Sequence, residues 1–179
     1  MELATIFWLI VLFFIFMGLM QARSNAKKRK KLGVSIMGVL KHINGLPIPE
    51  DMPCELLSYP DRYEIKANGL VFNLQKDKVS DICIKKHTEI QKQVVSSIGG
   101  AIGGAVLFGP LGAIIGGRAK TKKIVTKTKY LIFTYLKDEE VKYLGFVVDD
   151  NSSEYLALKI TNEFMKMKTN NVKQIQIDL

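Results

Sequence analysis

Residues Leu3–Met20, LATIFWLIVLFFIFMGLM, form a run of 18 residues without a charge, and no other feature restricts the chain as strongly. As a helix the run is about 27 Å long at 1.5 Å per residue, close to the roughly 30 Å hydrocarbon core of a bilayer. It is apolar on every face, whereas a soluble helix keeps a polar side. A cleaved signal peptide begins with a positive n-region and ends in small residues. This chain begins Met1-Glu2, and its basic residues come after the apolar run. The reading is an uncleaved transmembrane anchor over 1–21. The juxtamembrane cations Lys27, Lys28, Arg29, Lys30 and Lys31 then place the N-terminus outside and the rest in the cytoplasm, by the positive-inside rule. The expectation is a single-pass protein of the cell membrane, an integral membrane partner. Beside an anionic leaflet each of these cations also adds about 1 kcal/mol of attraction.

The formal charge of +9 is concentrated. Residues 22–32 carry six positives and no acid, and residues 85–129 carry nine positives and one acid, Glu89. Two basic patches on an otherwise acidic remainder point to local anionic partners. Cys54 and Cys83 are the only cysteines, too few for a disulfide-stapled secreted domain, and both are read as free thiols in a reducing compartment. Hydrophobic residues make up 47%, so the chain beyond the anchor holds enough apolar surface to fold.

The segment 22–53 reads as a basic juxtamembrane linker containing a short helix at 33–44, ended by the proline-punctuated Gly45-Leu-Pro-Ile-Pro. Short strands follow. Tyr63–Ala67 alternates apolar and polar, Asn68-Gly69 is a hairpin signal, and Leu70–Leu74 returns. Val79–Ile84, Lys129–Leu136 and Val141–Val148 add three more, the last two joined by the polar turn Lys137-Asp-Glu-Glu. The period then changes. Asn151 with Glu154 makes a capping box, and Leu156, Ile160, Phe164 and Met167 form the stripe of an amphipathic helix. The fold class is α+β: five or six antiparallel strands and one C-terminal packing helix behind a transmembrane helix.

From about Cys54 to Lys168, and especially in YEIKANGLVFNL, VSDICIKK, KYLIFTYL and SEYLALKITNEFMKMK, this order resembles the pleckstrin-homology and GRAM-like superfamily in its small bacterial versions. The resemblance implies an antiparallel PH-like sheet or partial barrel over 54–168, followed by a tail at 169–179. It also implies a non-enzymatic module that binds phospholipid headgroups or proteins. The departure from that pattern is an insert at 95–123.

Within it, Ile98–Gly117 reads IGGAIGGAVLFGPLGAIIGG, with eight glycines in 20 residues and no charge. Gly100, Gly104, Gly112 and Gly116 share one helical row, interrupted by Phe108, as in glycine-zipper packing. Gly109-Pro110 is a natural turn, and basic residues lie on both flanks, so a helical hairpin with both ends in the cytoplasm fits better than a second span. Such a hairpin either dips into the bilayer or packs on its own domain or on a neighbouring copy. Lys85, Lys86, Lys92, Arg118, Lys120, Lys122 and Lys123 would form a basic collar at its base, able to bind anionic phospholipid. Gly112…Gly117-Arg118-Ala119 has the glycine spacing of a phosphate loop, yet lacks its lysine and hydroxyl, which excludes nucleotide binding on this pattern.

His42 and His87 are 45 positions apart, in no metal-ligand spacing, and read as surface residues. Cys83 is expected to be packed in a strand and Cys54 to lie in a loop, neither with the cue of a low-pKa nucleophile. No nucleic-acid motif accompanies the basic stretches. The expectation is a non-enzyme without metal or cofactor. It engages anionic lipid through the collar and hairpin, or assembles with a protein partner or a homo-oligomer through the glycine zipper.

Overall fold

A helix, α1, runs without a break over Glu2–Leu32, about 46 Å at the helical rise. The computed structural model of the protein describes residues 2–90 and 128–173. Within α1, Ile6–Leu32 is long and apolar enough to cross a membrane, and its large apolar side chains from Ile6 to Met20 are exposed, Val11 apart. The basic stretch expected as linker continues this helix. Gly33 ends it: with φ at +68° it lets Val34 N–H reach back to Arg29 O at 3.1 Å and Gly33 N–H to Lys30 O at 3.3 Å. That is the Schellman arrangement. Arg29, Lys30 and Lys31 in the last turn face the negative end of the helix dipole.

The chain divides after Ser35 into two units. The second begins with a correction: Ile36–Asn44, expected to include helix, is strand β1. Ile36, Val39 and Ile43 are β-branched, and β1 finds partners on both sides, β2 (Pro53–Ser58) and β7 (Glu140–Val148). Tertiary pairing decides this segment, and it enters the sheet well before Cys54. Cys54 itself lies buried in β2 rather than in a loop.

The remaining strands are β3 (Arg62–Ala67), β4 (Leu70–Gln75), β5 (Val79–Lys86) and β6 (Lys129–Lys137). Among the described residues they form one seven-stranded antiparallel sheet, ordered β4-β3-β2-β1-β7-β6-β5. Two meanders, β1 to β4 and β5 to β7, are thus joined along β1 and β7. The hairpin turns are tight. Asn68 and Gly69 both take positive φ between β3 and β4, and Asp138 and Glu139 do so between β6 and β7, as the primed two-residue turns require.

A C-terminal helix, α2 (Asn151–Lys173), packs its expected stripe onto the inner face of the sheet: Leu156, Ile160 and Phe164 are buried and Met167 is half-buried. It meets Tyr63, Leu131, Phe133 and Phe146 in the core. Gly38 of β1 permits the approach, since a Cβ there would come 2.5 Å from Leu156 Cδ2. The cap lies one residue earlier than expected. Asp150 Oδ1 accepts from Ser153 N–H at 2.7 Å, and Asp150 N–H donates to Ser153 Oγ at 3.1 Å. The Ser153 N–H, donating to the carboxylate, holds the Asp150 carboxyl below its ordinary pKa. Further along α2, Glu163 accepts from Ser58 Oγ at 2.9 Å and from Lys76 Nζ at 2.8 Å. The Lys76 side chain is only 6% exposed and lies over the Tyr63 ring. This buried pair ties α2 to β2 and to the 3-10 turn Lys76–Lys78.

Candidate functional site

The basic collar can be examined where β5 ends and β6 begins. Lys85 stands opposite Tyr130, and Lys86 opposite Lys129. One residue further, His87 N–H donates to Thr128 O at 3.1 Å. The chain therefore leaves the sheet at Lys86 and returns at Lys129 with its two ends hydrogen-bonded together. Residues 87–90 start a helical turn, and Glu89 Oε2 accepts from Lys86 N–H at 3.2 Å, satisfying a donor that the turn leaves open.

Lys85 is half-buried and Lys86 exposed, and neither makes an ion pair among the described residues. The neighbouring cations differ. Lys129 Nζ lies 2.5 Å from Glu154 Oε1, and Lys41 Nζ lies 2.9 Å from Asp149 Oδ2. That hydrogen bond and charge raise the Lys41 pKa. Sequence reasoning places these acids at the start of a helix. Only the fold brings them to this end of the sheet, where they pair with two lysines and leave Lys85 and Lys86 without an ion pair among the described residues. Lys92, Arg118, Lys120, Lys122 and Lys123 lie outside the described residues, as do Gly100, Gly104, Phe108, Gly112 and Gly116. Lys27, Lys28, Arg29, Lys30 and Lys31 all lie on α1, in the other unit.

Beneath the two lysines is a feature that the sequence reading missed. On the face of the sheet opposite α2, Ile43, Ile90, Tyr130, Ile132 and Val147 form a second buried cluster, with Cys83 and Tyr143 packed against it. Ile90 is 0% exposed and comes from the helical turn that opens the insert. A signal was present: KYLIFTYL and VKYLGFVV are nearly continuous apolar runs rather than alternating ones, the mark of a strand buried on both faces.

The histidines, expected on the surface, are both buried. His42 Nδ1 bonds Pro49 O at 3.1 Å, and its Nε2 accepts from Leu46 N–H at 3.2 Å, so its ring staples the loop between β1 and β2. His87 Nδ1 lies 3.0 Å from Tyr130 Oη, while its Nε2 has no partner among the described residues. Burial lowers the pKa of His87. Burial is also the main reason that the Cys83 thiol is pushed up to about 11, with Asp81 adding to the effect. Desolvation raises Cys54 too, so neither thiol is primed as a thiolate at neutral pH. Both are free. Among the described residues no cluster of three His, Cys, Asp or Glu is placed to hold a metal.

No protein-family model matches the chain, and no curated protein matches it in sequence.

Proposed function

We propose that the protein is a membrane-anchored, non-catalytic module that faces the cytoplasm of a bacterial cell, and that it engages anionic phospholipid at the sheet end where the insert departs. The observation that carries this reading is the pair Lys85 and Lys86, without an ion pair among the described residues, beside an insert root whose ends are pinned by His87 N–H and Thr128 O. Two meanders closed by a C-terminal helix support a PH-like or GRAM-like architecture for the domain. An apolar α1 followed by Arg23 and Lys27–Lys31 supports a single pass with the N-terminus outside.

The pinned root bears on the insert. A segment crossing the bilayer once would deliver its ends to opposite sides, about 30 Å apart, whereas these ends are neighbours in one ladder. A hairpin that leaves and returns on the cytoplasmic side satisfies that constraint, with Gly100, Gly104, Phe108, Gly112 and Gly116 as its apolar rows. Lys92, Arg118, Lys120, Lys122 and Lys123 would add to Lys85 and Lys86 in the collar. Tethering by α1 makes the second lipid contact intramolecular, so a weak headgroup site suffices.

A second reading is favoured by the cluster around Ile132 and Ile90. An insert whose first residues are committed to the domain would pack its glycine zipper on the domain or a second copy, as a protein-interaction or self-assembly module. Vesicle sedimentation separates the two. Residues 33–179 are expected to pellet with anionic but not neutral vesicles, and Lys85→Glu with Lys86→Glu to cut the pelleted fraction several-fold. A domain that stays in the supernatant with both vesicle types would sink the lipid reading. An oligomer that survives the charge reversal would favour the second.

A further inference from the structure

The two edges of the sheet are treated differently. β5 carries Asp81, Lys85 and Lys86, and Lys168 Nζ of α2 donates to Ser80 O at 2.9 Å on it. Charge and cover of this kind keep an edge from pairing. β4, Leu-Val-Phe-Asn-Leu-Gln, is uncharged and pairs with β3 on one side and with no described strand on the other. Just past its end, Lys76 N–H donates to Asp61 O at 2.9 Å, and the register continues with Gln75 opposite Arg62 and Leu74 opposite Tyr63. Opposite pairs of an antiparallel ladder alternate between bonded and non-bonded. Leu70, Phe72 and Leu74 therefore bond β3, whereas Val71, Asn73 and Gln75 turn their N–H and C=O groups away from it.

Along that side runs a groove of about 500 Å³, with Val71 to Gln75 as one wall and Tyr135, Leu136 and Lys137 of β6 on the other. Successive side chains of a strand point to opposite faces, so a wall built of consecutive residues is the strand's edge, with its main-chain donors and acceptors. Leu46, Phe72 and Leu74 give the groove an apolar lining. Lys78 and Lys137 are its charged lining residues; both are exposed, and neither makes an ion pair among the described residues. Asp77 and Asp138 line a neighbouring depression and not the groove.

We propose that the groove docks an extended segment of a partner protein, one that alternates apolar and acidic residues and adds to β4 as a further strand. The outward N–H and C=O groups of Val71, Asn73 and Gln75 take an extended backbone whatever its side chains. Leu46, Phe72 and Leu74 ask for apolar side chains at every second position, since only alternate side chains of an added strand turn to that face. Lys78 and Lys137 ask for acids between them by charge complementarity. A second copy is a poorer occupant: its β4 would bring backbone and apolar side chains but no acid. The groove lies at the Lys137 end of β6, and Lys86 and the insert root lie at the Lys129 end. This inference is therefore independent of the lipid site.

A short synthetic peptide alternating valine and glutamate, titrated onto the full chain in neutral lipid nanodiscs, tests it. The peptide should bind and slow hydrogen exchange of the Val71, Asn73 and Gln75 amides about tenfold, while Phe72 and Leu74, already bonded to β3, change little. Lys78→Glu with Lys137→Glu should weaken that binding about tenfold and strengthen binding of the same peptide with lysine in place of glutamate. A misfolded variant would bind neither, so the exchange of preference reads the groove itself. Absence of binding to the parent chain, or binding that leaves the three outward amides unprotected, would overturn the proposal. So would equal affinity of the parent for the two peptides, which would make the groove apolar without a preference for acids. Slow exchange of the three amides without peptide would show an edge already covered, and its loss in discs holding one copy would assign the groove to a second copy; either overturns the proposal.

Discussion

The outer face of the sheet is two surfaces. Across β2, β3 and β4 it is a polar ladder: Glu55 stands opposite Lys66, Glu64 meets Lys66 at 3.0 Å, and Arg62 donates to Asn73 Oδ1 at 3.1 Å. Val71 on this side is 52% exposed. Across β1, β7, β6 and β5 the same face carries Ile43, Val147, Ile132 and Cys83, and Ile132 is 0% exposed. One half of the sheet has a single core, against α2, and the other half has two. The chain leaves the sheet at Lys86 and returns at Lys129 in the half with two cores.

The strongest way to break this comparison is to truncate one residue on each half. Ile132→Ala removes a fully buried side chain and should cost about 3 kcal/mol, while Val71→Ala should change stability by less than about 0.5 kcal/mol. Urea unfolding of both variants checks it, and equal losses would erase the distinction between the halves.

The next effect is a pH dependence confined to the apolar half. Burial sets the folded-state pKa of His87 below its ordinary 6.5. Between that depressed value and 6.5 the unfolded chain binds a proton that the folded chain does not, so stability rises with pH across the window. His87 therefore contributes fully above about pH 6.5, and its contribution falls on acidification below that point. Melting temperatures at pH 7.5 and 5.5 should differ less in His87→Gln than in the parent. A slope that the substitution leaves unaltered would assign the acid sensitivity elsewhere.

The smallest effect sharpens the polar half. Lys66, 40% exposed at its side chain, pairs with Glu64, and this hydrogen bond and charge raise the Lys66 pKa. Glu64 is only 11% exposed, but Arg62 stays beside it at 3.7 Å as a second cation, so losing the exposed Lys66 does not strand its charge. Lys66→Met should cost no more than about 0.5 kcal/mol, and the difference should vanish at 1 M salt. A loss persisting at high salt would mean that the ladder is part of the packing rather than a solvated face.

Much of this was legible in the chain. The apolar run of Leu3–Met20 dictates a helix able to span a bilayer, because length and composition alone decide that. Asn68-Gly69 dictates a hairpin, because a primed turn needs positive φ. The Leu156, Ile160 and Phe164 stripe dictates a helix with one buried face. Such local signals depend on neighbours a few residues away, which the sequence contains in full.

What the sequence alone did not decide depends on residues far apart in the chain. Ile36–Asn44 is a strand only because β2 and β7 flank it. His42 is buried against Phe146 and His87 against Tyr130, each from a strand far along the chain. Lys129 and Lys41 are paired because Glu154, 25 positions away, arrives with α2 and Asp149, 108 positions away, arrives at the end of β7. Of the expected collar, Lys85 and Lys86 have no ion pair among the described residues. Local preference costs fractions of a kcal/mol per residue, whereas a buried partner is worth several times that; where the two compete, the partner wins, and only the tertiary structure says who the partner is.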